Sequence, residues 1–424
     1  VHIGWAGGSK NQPTLSDNNC MPKRIEKIVT TEGHLIDSGL MRRIFDTIIS
    51  DNGQFEMLKF EIGRNNDEFS QACLKVAAPD AVAMNKILLK LSALGCVVDE
   101  EKEIRLSPAP ADGVVPPEFY STTNQETEIH LGGKWLSVQE LRMDGVIVVD
   151  NDYATVKKFR DVKKGEKIVL GLSGIKVKPE FARRDRDDFG FMSGEVSSER
   201  KVRLAVDRVA QTIGEDSKRV AVVAGPVVVH TGGAPDLARL IKHGHVHTIL
   251  AGNALAVHDI EAALLGTSLG IDLTSGRPVE MGHRNHLRAI NEVRRAGSIA
   301  GLVAEGSLTS GIMYETVKAN LPFSLAGSLR DDGPLPDTIT DMNQAQEHHS
   351  KLLEGVDVVL MLSSMLHSIA VGNMLPARVL TVCVDINPSV VTKLKDRGSL
   401  QTIGIVTDVG LFLHLLAERL LNGQ

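Results

Sequence analysis

A chain of 424 residues, 42% of them apolar, is long enough to form about two or three domains with substantial cores. Its formal net charge of −6 excludes bulk attraction to nucleic acid or anionic membranes, and no apolar run reaches the length of a membrane span. The four cysteines, Cys20, Cys73, Cys96 and Cys383, lack any C-x-x-C spacing, and reduced thiols in a cytoplasmic protein account for them.

Residues 1–20 are rich in Gly, Ser and Asn and carry neither helical nor strand periodicity, so a disordered leader is expected there. With a natural-looking start at Met21-Pro22-Lys23-Arg24, it reads as an upstream extension or the remnant of a preceding domain, and it has no apolar core of a signal peptide. Over 21–107 the pattern is β-α-β-β-α-β. Leu40, Ile44 and Ile48 form one i, i+4 row with Met41, Phe45 and Ile49 beside it, and Met84, Ile87, Leu88, Leu91 and Leu94 stripe a second helix. QFEMLKFEIGR and EFSQACLKVAAP are strands joined at the polar Asn65-Asn66-Asp67 turn, which predicts a ferredoxin-like sandwich. Glu32-Gly33-His34 and Gly63-Arg64 fall at strand ends, where they serve either as turn residues or as polar groups toward a ligand.

Pro108, Pro110, Pro116 and Pro117 predict a stiff linker over 108–127. Short β-like runs around Gly132-Gly133, Gly145 and Lys164-Gly165 predict a small β-rich module over 128–190, closed by the mixed-charge run Arg183–Asp188, a solvated loop. From 191 to 424 a doubly wound parallel sheet is expected, with strands at 220–224, 248–251, 299–304, 323–326, 356–362, 379–384 and 402–406. Ligands of such sheets collect beyond the strands' carboxyl ends. There the chain carries Gly225-Pro226, His230-Thr231-Gly232-Gly233, Gly252-Asn253-Ala254, Gly327-Ser328 with Asp331-Asp332-Gly333, Ser363-Ser364, Asp385 and Thr407-Asp408-Val409. Each is also ordinary turn chemistry.

The stretch from Val356 to Pro388 has the plan of a dinucleotide-binding half: an apolar strand, a polar loop with Ser363, Ser364 and His367, a helix, a second strand, and Asp385 at its end, 18 residues beyond His367. Two other readings stay open, because βαβ units without a nucleotide are common and Asp385 can cap the helix starting near Pro388; the G-x-G-x-x-G fingerprint is absent. His243, His245 and His247 alternate, and His283 and His286 stand at i, i+3, but neither set has an acid or cysteine in ligand spacing, so no metal site is expected.

GNALAVHDIE (252–261), AGSLRDDGPLPD (326–337), SSMLHSIAVGNMLP (363–376), VDINP (384–388) and GIVTDVG (404–410), with TTEGHLIDSGLM (30–41), resemble the archaeal-type, NAD-dependent ornithine cyclodeaminase family. The resemblance runs from Met21 onward. Its N-terminal part is the region conserved in lysine-ketoglutarate reductase/saccharopine dehydrogenase bifunctional enzymes, and its C-terminal domain is similar in fold to deoxyhypusine synthase, which binds NAD without the usual glycine fingerprint. It implies that NAD is held by Asn253, Ala254, Asp332, Ser364, Met365, Leu366, His367, Asp385, Asp408 and Val409. Ser364 stands where the family carries Thr, with the hydroxyl retained.

The implied reaction turns L-ornithine into L-proline and ammonia. Hydride leaves Cα, the resulting imine is attacked by the δ-amine, ammonia departs, and hydride returns, so NAD is recycled. Asp331, beside the cofactor loop, is the candidate acid–base or ammonium-binding carboxylate; capping its own turn is the competing role. A homodimer or homotetramer is implied. The rival functions are a saccharopine-type amino-acid dehydrogenase and a non-enzymatic sensor of amino acid and NAD.

Overall fold

A computed structural model of the chain describes residues 24–36, 39–63, 68–98, 102–178, 198–215, 217–279, 282–331, 333–397 and 402–421. The expected leader, the Asn65-Asn66-Asp67 turn and the Arg183–Asp188 run lie outside them.

The first unit comprises β1 (Ile25–Gly33), α1 (Leu40–Ser50), β2 (Gln54–Glu61), β3 (Ser70–Ala78), α2 (Ala81–Ala93) and β4 (Val97–Val98), in sheet order β2-β3-β1-β4 with antiparallel pairing throughout. This is the ferredoxin-like arrangement. Leu40, Met41, Ile44 and Ile48 of α1 and Met84, Ile87, Leu88 and Leu91 of α2 are buried on β1 and β3. The second row of α1 is only half used: Phe45 stacks on Phe55 with centroids 4.4 Å apart, while Ile49 faces solvent. Asp80 starts α2 by accepting the Ala83 N–H at 2.8 Å, the role of an N-cap.

The second unit is a seven-stranded sheet of β5 (Arg105–Pro108), β6 (Glu126–Leu131), β7 (Lys134–Gln139), β8 (Val146–Asp150), β9 (Tyr153–Lys157), β10 (Lys167–Leu170) and β11 (Ile175–Lys178), ordered β11-β6-β7-β9-β8-β10-β5. Where the prolines suggest a linker, the chain packs into this sheet. Pro108 ends a strand paired with β10, Ala109 and Tyr120 are buried, and the Tyr120 N–H reaches the Val169 carbonyl at 3.0 Å. Pro at a strand end and beyond removes donors only where no ladder partner is waiting, so the prolines are compatible with an edge as well as with a linker.

The third unit opens with α3 (Ser198–Ile213) and continues as β12 (Val220–Ala224), α4 (Val227–His230), α5 (Ala234–Lys242), β13 (Thr248–Gly252) and α6 (Asn253–Leu265). A small hairpin of β14 (Thr267–Ser268) and β15 (Ile271–Asp272) follows, then α7 (Asn285–Ala296), α8 (Ile299–Ala304), α9 (Ile312–Lys318), β16 (Phe323–Ala326), β17 (Thr338–Ile339) and α10 (Met342–Leu352). The chain closes with β18 (Val358–Leu362), α11 (Leu366–Met374), β19 (Leu380–Asp385), α12 (Pro388–Arg397), β20 (Thr402–Val406) and α13 (Val409–Leu421). The sheet order is β17-β16-β13-β12-β18-β19-β20, parallel throughout. Every residue of β12 and β18 is buried, which is why VAVVA and VVLML are unbroken apolar runs rather than alternating ones.

One expected strand is a helix. Residues 299–304 form α8, because Ser298 caps its start through the Gly301 N–H at 2.9 Å and Asp337 takes the Ile299 N–H at 2.9 Å. A six-residue apolar run has no periodicity to separate strand from buried helix, and the caps decide. The two-residue edge strand β17 was beneath the reach of sequence pattern.

Candidate functional site

The order of the parallel sheet runs outward in opposite directions from β12 and β18, so a crevice opens at their carboxyl ends. The two loops there touch. Gly225 donates its N–H to Leu362 O at 2.9 Å, and a Cβ on Gly225 would stand 2.2 Å from Ser363 O. Ser363 has φ 45°, a left-handed conformation rare for a residue with a side chain and one that turns the following Ser364-Met365-Leu366 toward the rim. Met365 and Leu366 are exposed, at 42% and 74%, and His367 lies against Gly252, where an added Cβ would meet its Cε1 at 2.7 Å.

The other expected cofactor residues sit on neighbouring crests. Asn253 begins α6 and is buried, its Oδ1 accepting the Leu335 N–H at 3.0 Å and the Thr338 hydroxyl at 2.9 Å; Ala254 follows it. Asp385 ends β19 and accepts the Asn387 N–H at 2.8 Å. Asp408 accepts the Leu411 N–H at 3.0 Å at the head of α13, and Val409 is buried behind it. Asp331 holds its own turn by accepting Ser328 N–H at 2.7 Å and Ser328 Oγ–H at 3.2 Å, while its charge also acts on His367. Asp332 lies outside the described residues.

Neither α6 nor α11 has a side chain capping its first turn, so their leading N–H groups remain for a ligand's anionic oxygens. With an acid at the end of β19 and close-packed loops at the switch point, these residues suit a dinucleotide. Burial lowers the pKa of His367 against the pull of Asp331, and burial followed by the repulsion of His367 carries His349 down to about 4. Both rings, 6.4 Å apart, are therefore neutral at physiological pH.

Of a second cluster on this rim, the sequence marks only His230; its link to His258 and Glu261 is not visible there. His230 Nδ1 and Ser268 Oγ are hydrogen-bonded at 2.6 Å, and the ring of His230 stands 4.9 Å from that of His258. His258 Nδ1 donates to Glu261 Oε2 at 2.9 Å. Glu261, wholly buried, also accepts the Thr267 hydroxyl at 2.8 Å and the N–H groups of Leu269 and Gly270 at 3.3 Å each. Burial alone would raise its pKa; the hydrogen bonds from His258, Thr267 and Gly270 outweigh that and hold it below the ordinary value. The carboxylate fixes His258 with Nδ1 protonated and so leaves Nε2 as the basic nitrogen. The one local signal is a His and a Glu three apart on α6, neighbours on one helix face. Two of the histidines considered as metal ligands have backbone partners: His243 donates to Arg239 O at 2.8 Å and His247 accepts the Val220 N–H at 3.1 Å. The side chain of His283 lies outside the described residues.

On the same helix Asp259 is fully buried and accepts the Ile312 and Met313 N–H groups at 2.9 and 2.8 Å, pinning α9 to α6. Burial pushes its carboxyl up from 3.8 to about 6, against the two hydrogen bonds. A folded-state pKa above the unfolded one means that the folded chain holds a proton the unfolded chain releases, so this contribution is full below about pH 4 and lost as pH rises through 6. Urea unfolding is expected to show about 1 kcal/mol more stability gained between pH 7 and pH 5 in the wild type than in Asp259→Asn. Equal pH slopes would remove Asp259 as the cause.

Comparison with known proteins places these features. Residues 26–125 match the LOR/SDH bifunctional enzyme conserved region, 126–206 the first region of the C-terminal part of ArgZ-like arginine dihydrolase, and 204–416 its C-terminal Rossmann fold. The chain is 50% identical to the bifunctional arginine dihydrolase/ornithine cyclodeaminase AgrE of Nostoc sp., over 93% of this chain but 58% of that one. It is 48% identical to the ornithine cyclodeaminase of Methanothermobacter thermautotrophicus, over 93% of this chain and 98% of that one. A crystal structure of AgrE in ternary complex with ornithine and NAD+ matches with a TM-score of 0.51 at 48% identity, over 94% of this chain and 57% of that chain. The chain thus spans somewhat over half of the bifunctional relatives and nearly all of the archaeal one. It belongs to the ornithine cyclodeaminase family in which the LOR/SDH conserved region is followed by the two ArgZ-like C-terminal regions.

Proposed function

We propose that this chain is an ornithine cyclodeaminase, converting L-ornithine to L-proline and ammonia with recycled NAD. The observation that carries this reading is the assembly, on one rim of the parallel sheet, of uncapped helix starts, a strand-terminal acid and a carboxylate–histidine pair. The relative AgrE, crystallised with ornithine and NAD+, supports it.

In this reading Asn253, Ala254, Asp332, Ser364, Met365, Leu366, His367, Asp385, Asp408 and Val409 hold the cofactor. NAD, when bound, supplies the hydride acceptor and later donor. Uncapped N–H groups at α6 and α11 take the diphosphate, and Asp385 accepts from the ribose hydroxyls through the oxygen not bonded to Asn387. His258 Nε2, the nitrogen left unprotonated while Nδ1 donates to Glu261, takes a proton from a substrate amine. Asp331 is assigned the acid–base or ammonium-binding role. A homodimeric or homotetrameric assembly, a cytoplasmic location and a place in proline formation belong to the same reading.

The test is ornithine with NAD far below the ornithine concentration. Many rounds of proline and ammonia release without lasting absorbance at 340 nm are expected; a stop when NAD is spent would identify a dehydrogenase, and no consumption a sensor. In the same assay Asp331→Ala should slow turnover about 10²- to 10⁴-fold, the range for a lost acid–base group, with NAD affinity unchanged. A wild-type rate would take Asp331 out of the chemistry.

Cofactor choice is a separate expectation. Asp385 disfavours a 2′-phosphate, so calorimetric titration should give tighter binding of NAD than of NADP. Asp385→Ala should weaken NAD about 10- to 100-fold, the loss of a hydrogen bond to a charged acceptor. NADP binding as tight as NAD would sink the assignment.

A further inference from the structure

A cavity of about 850 Å³ separates the β module from the third unit. Its walls include Gly355, Pro376 and Arg378, which precede β18 and β19, so it opens at the amino-terminal edge of the parallel sheet, away from the rim described above. The seam around it is backbone-bonded, with Met143 N–H on Asn373 O at 3.0 Å and Ala377 N–H on Asn124 O at 2.9 Å.

The cations here outnumber their partners. Lys157 is bonded to Glu166 at 2.6 Å, and Arg160 reaches Asp161 at 3.7 Å and Glu347 at 3.6 Å, which engages two of the four acids on the cavity wall. Arg142 and Lys158 from the module, and Lys351 and Arg378 from the opposite wall, form no ion pair among the described residues, although Glu140 and Glu354 also line the space. Arg142 Nε is buried with no hydrogen-bond partner, and so is Asn373 Oδ1 at the same seam. Burial, then the charge of Arg160, lowers the pKa of both Arg142 and Lys158, against the weaker pull of Asp161 and Asp144 on the first and of Asp161 and Glu347 on the second. Gathering desolvated like charges with no directly paired counterion is unfavourable, and an anion relieves it.

We propose that this interdomain cavity is a second ligand site, taking a small multivalent oxyanion, carboxylate or phosphate, on the guanidinium fork of Arg142 with Lys158 beside it. The planar fork matches both oxyanions, and the lysine adds a point charge. A ligand there bridges the module to the C-terminal ends of α10 and α11, and α11 carries His367 at its other end. The site is independent of the cyclodeaminase assignment, because no residue is shared.

The test is calorimetric titration of the NAD-saturated full chain, which keeps the rim occupied, with inorganic phosphate and separately with succinate, at constant ionic strength set by chloride. Saturable binding of at least one is expected; phosphate alone points to a phosphorylated ligand, succinate alone to a dicarboxylate. Arg142→Gln should weaken it about tenfold or more, as expected for a lost bidentate charged contact, with NAD affinity unchanged. Should Arg142→Gln fold poorly, Lys158→Gln carries the test with a smaller loss in the same direction. No saturable heat from either anion in the wild type, or undiminished affinity in the folded variants, overturns the proposal.

Discussion

Glu261→Ala is expected to cost about 3–5 kcal/mol of folding stability, the range for breaking a buried charged network by removing one partner. The reason is the number of groups that depend on one carboxylate. The turn between β14 and β15 is only Leu269-Gly270, with φ of 53° and 72°, so both residues are left-handed. Gly accepts this freely, whereas Leu does not, and the conformation persists because both N–H groups donate to Glu261. Removing the carboxylate orphans these two donors, the Thr267 hydroxyl and His258 Nδ1 together. It also releases the hairpin that presents Ser268 to His230. Urea denaturation should show the loss directly, and the surviving folded fraction should form proline slowly because His258 no longer has a fixed tautomer. A destabilisation below about 1 kcal/mol, the value of one ordinary hydrogen bond, would mean that the network is not a unit.

Gly225→Ala is expected to abolish measurable NAD binding at millimolar cofactor while destabilising the chain by about 1–3 kcal/mol, the usual cost of overpacking. The added methyl would lie 2.2 Å from Ser363 O and 3.0 Å from its carbonyl carbon. Those neighbours are backbone, so no rotamer change relieves the clash. The crest after β12 and the crest after β18 must part, and with them goes the left-handed Ser363 that aims Ser364 to His367. Calorimetry with NAD on the folded variant checks this. Retained wild-type affinity would show that the cofactor does not use this junction.

The parallel sheet was legible because buried strands leave continuous apolar runs, and five-residue stretches such as VAVVA and VVLML have few other uses. Polar residues following each strand then marked the rim, and the structure gathers Asn253, Ser364, His367, Asp385 and Asp408 there. What stayed hidden was decided by contacts between distant residues. Ile299–Ala304 became a helix through Asp337 and a local cap. Pro108 joined a sheet through its strand partner Lys167, and the segment after it packs back on the same strand through the Tyr120 N–H on Val169 O. The Glu261 network draws on residues 258, 267, 269 and 270, and its link to His230 spans 38 residues through Ser268, so no motif contains it.

The central pairing of the third unit bears on how the chain reaches this state during synthesis. β12 lies beside β18, and the contact from Arg219 N–H to Asp357 at the start of that pair closes a loop of 138 residues. At ribosomal rates of about 5–20 residues per second, β12 emerges about 7–28 seconds before the strand that covers one of its sides. Over that interval the first unit, whose strands all lie within Ile25–Val98, can complete its own sheet. VAVVA, by contrast, waits with an open edge, and that nascent stretch is where holdase chaperones would be needed and where a slowed ribosome would favour aggregation.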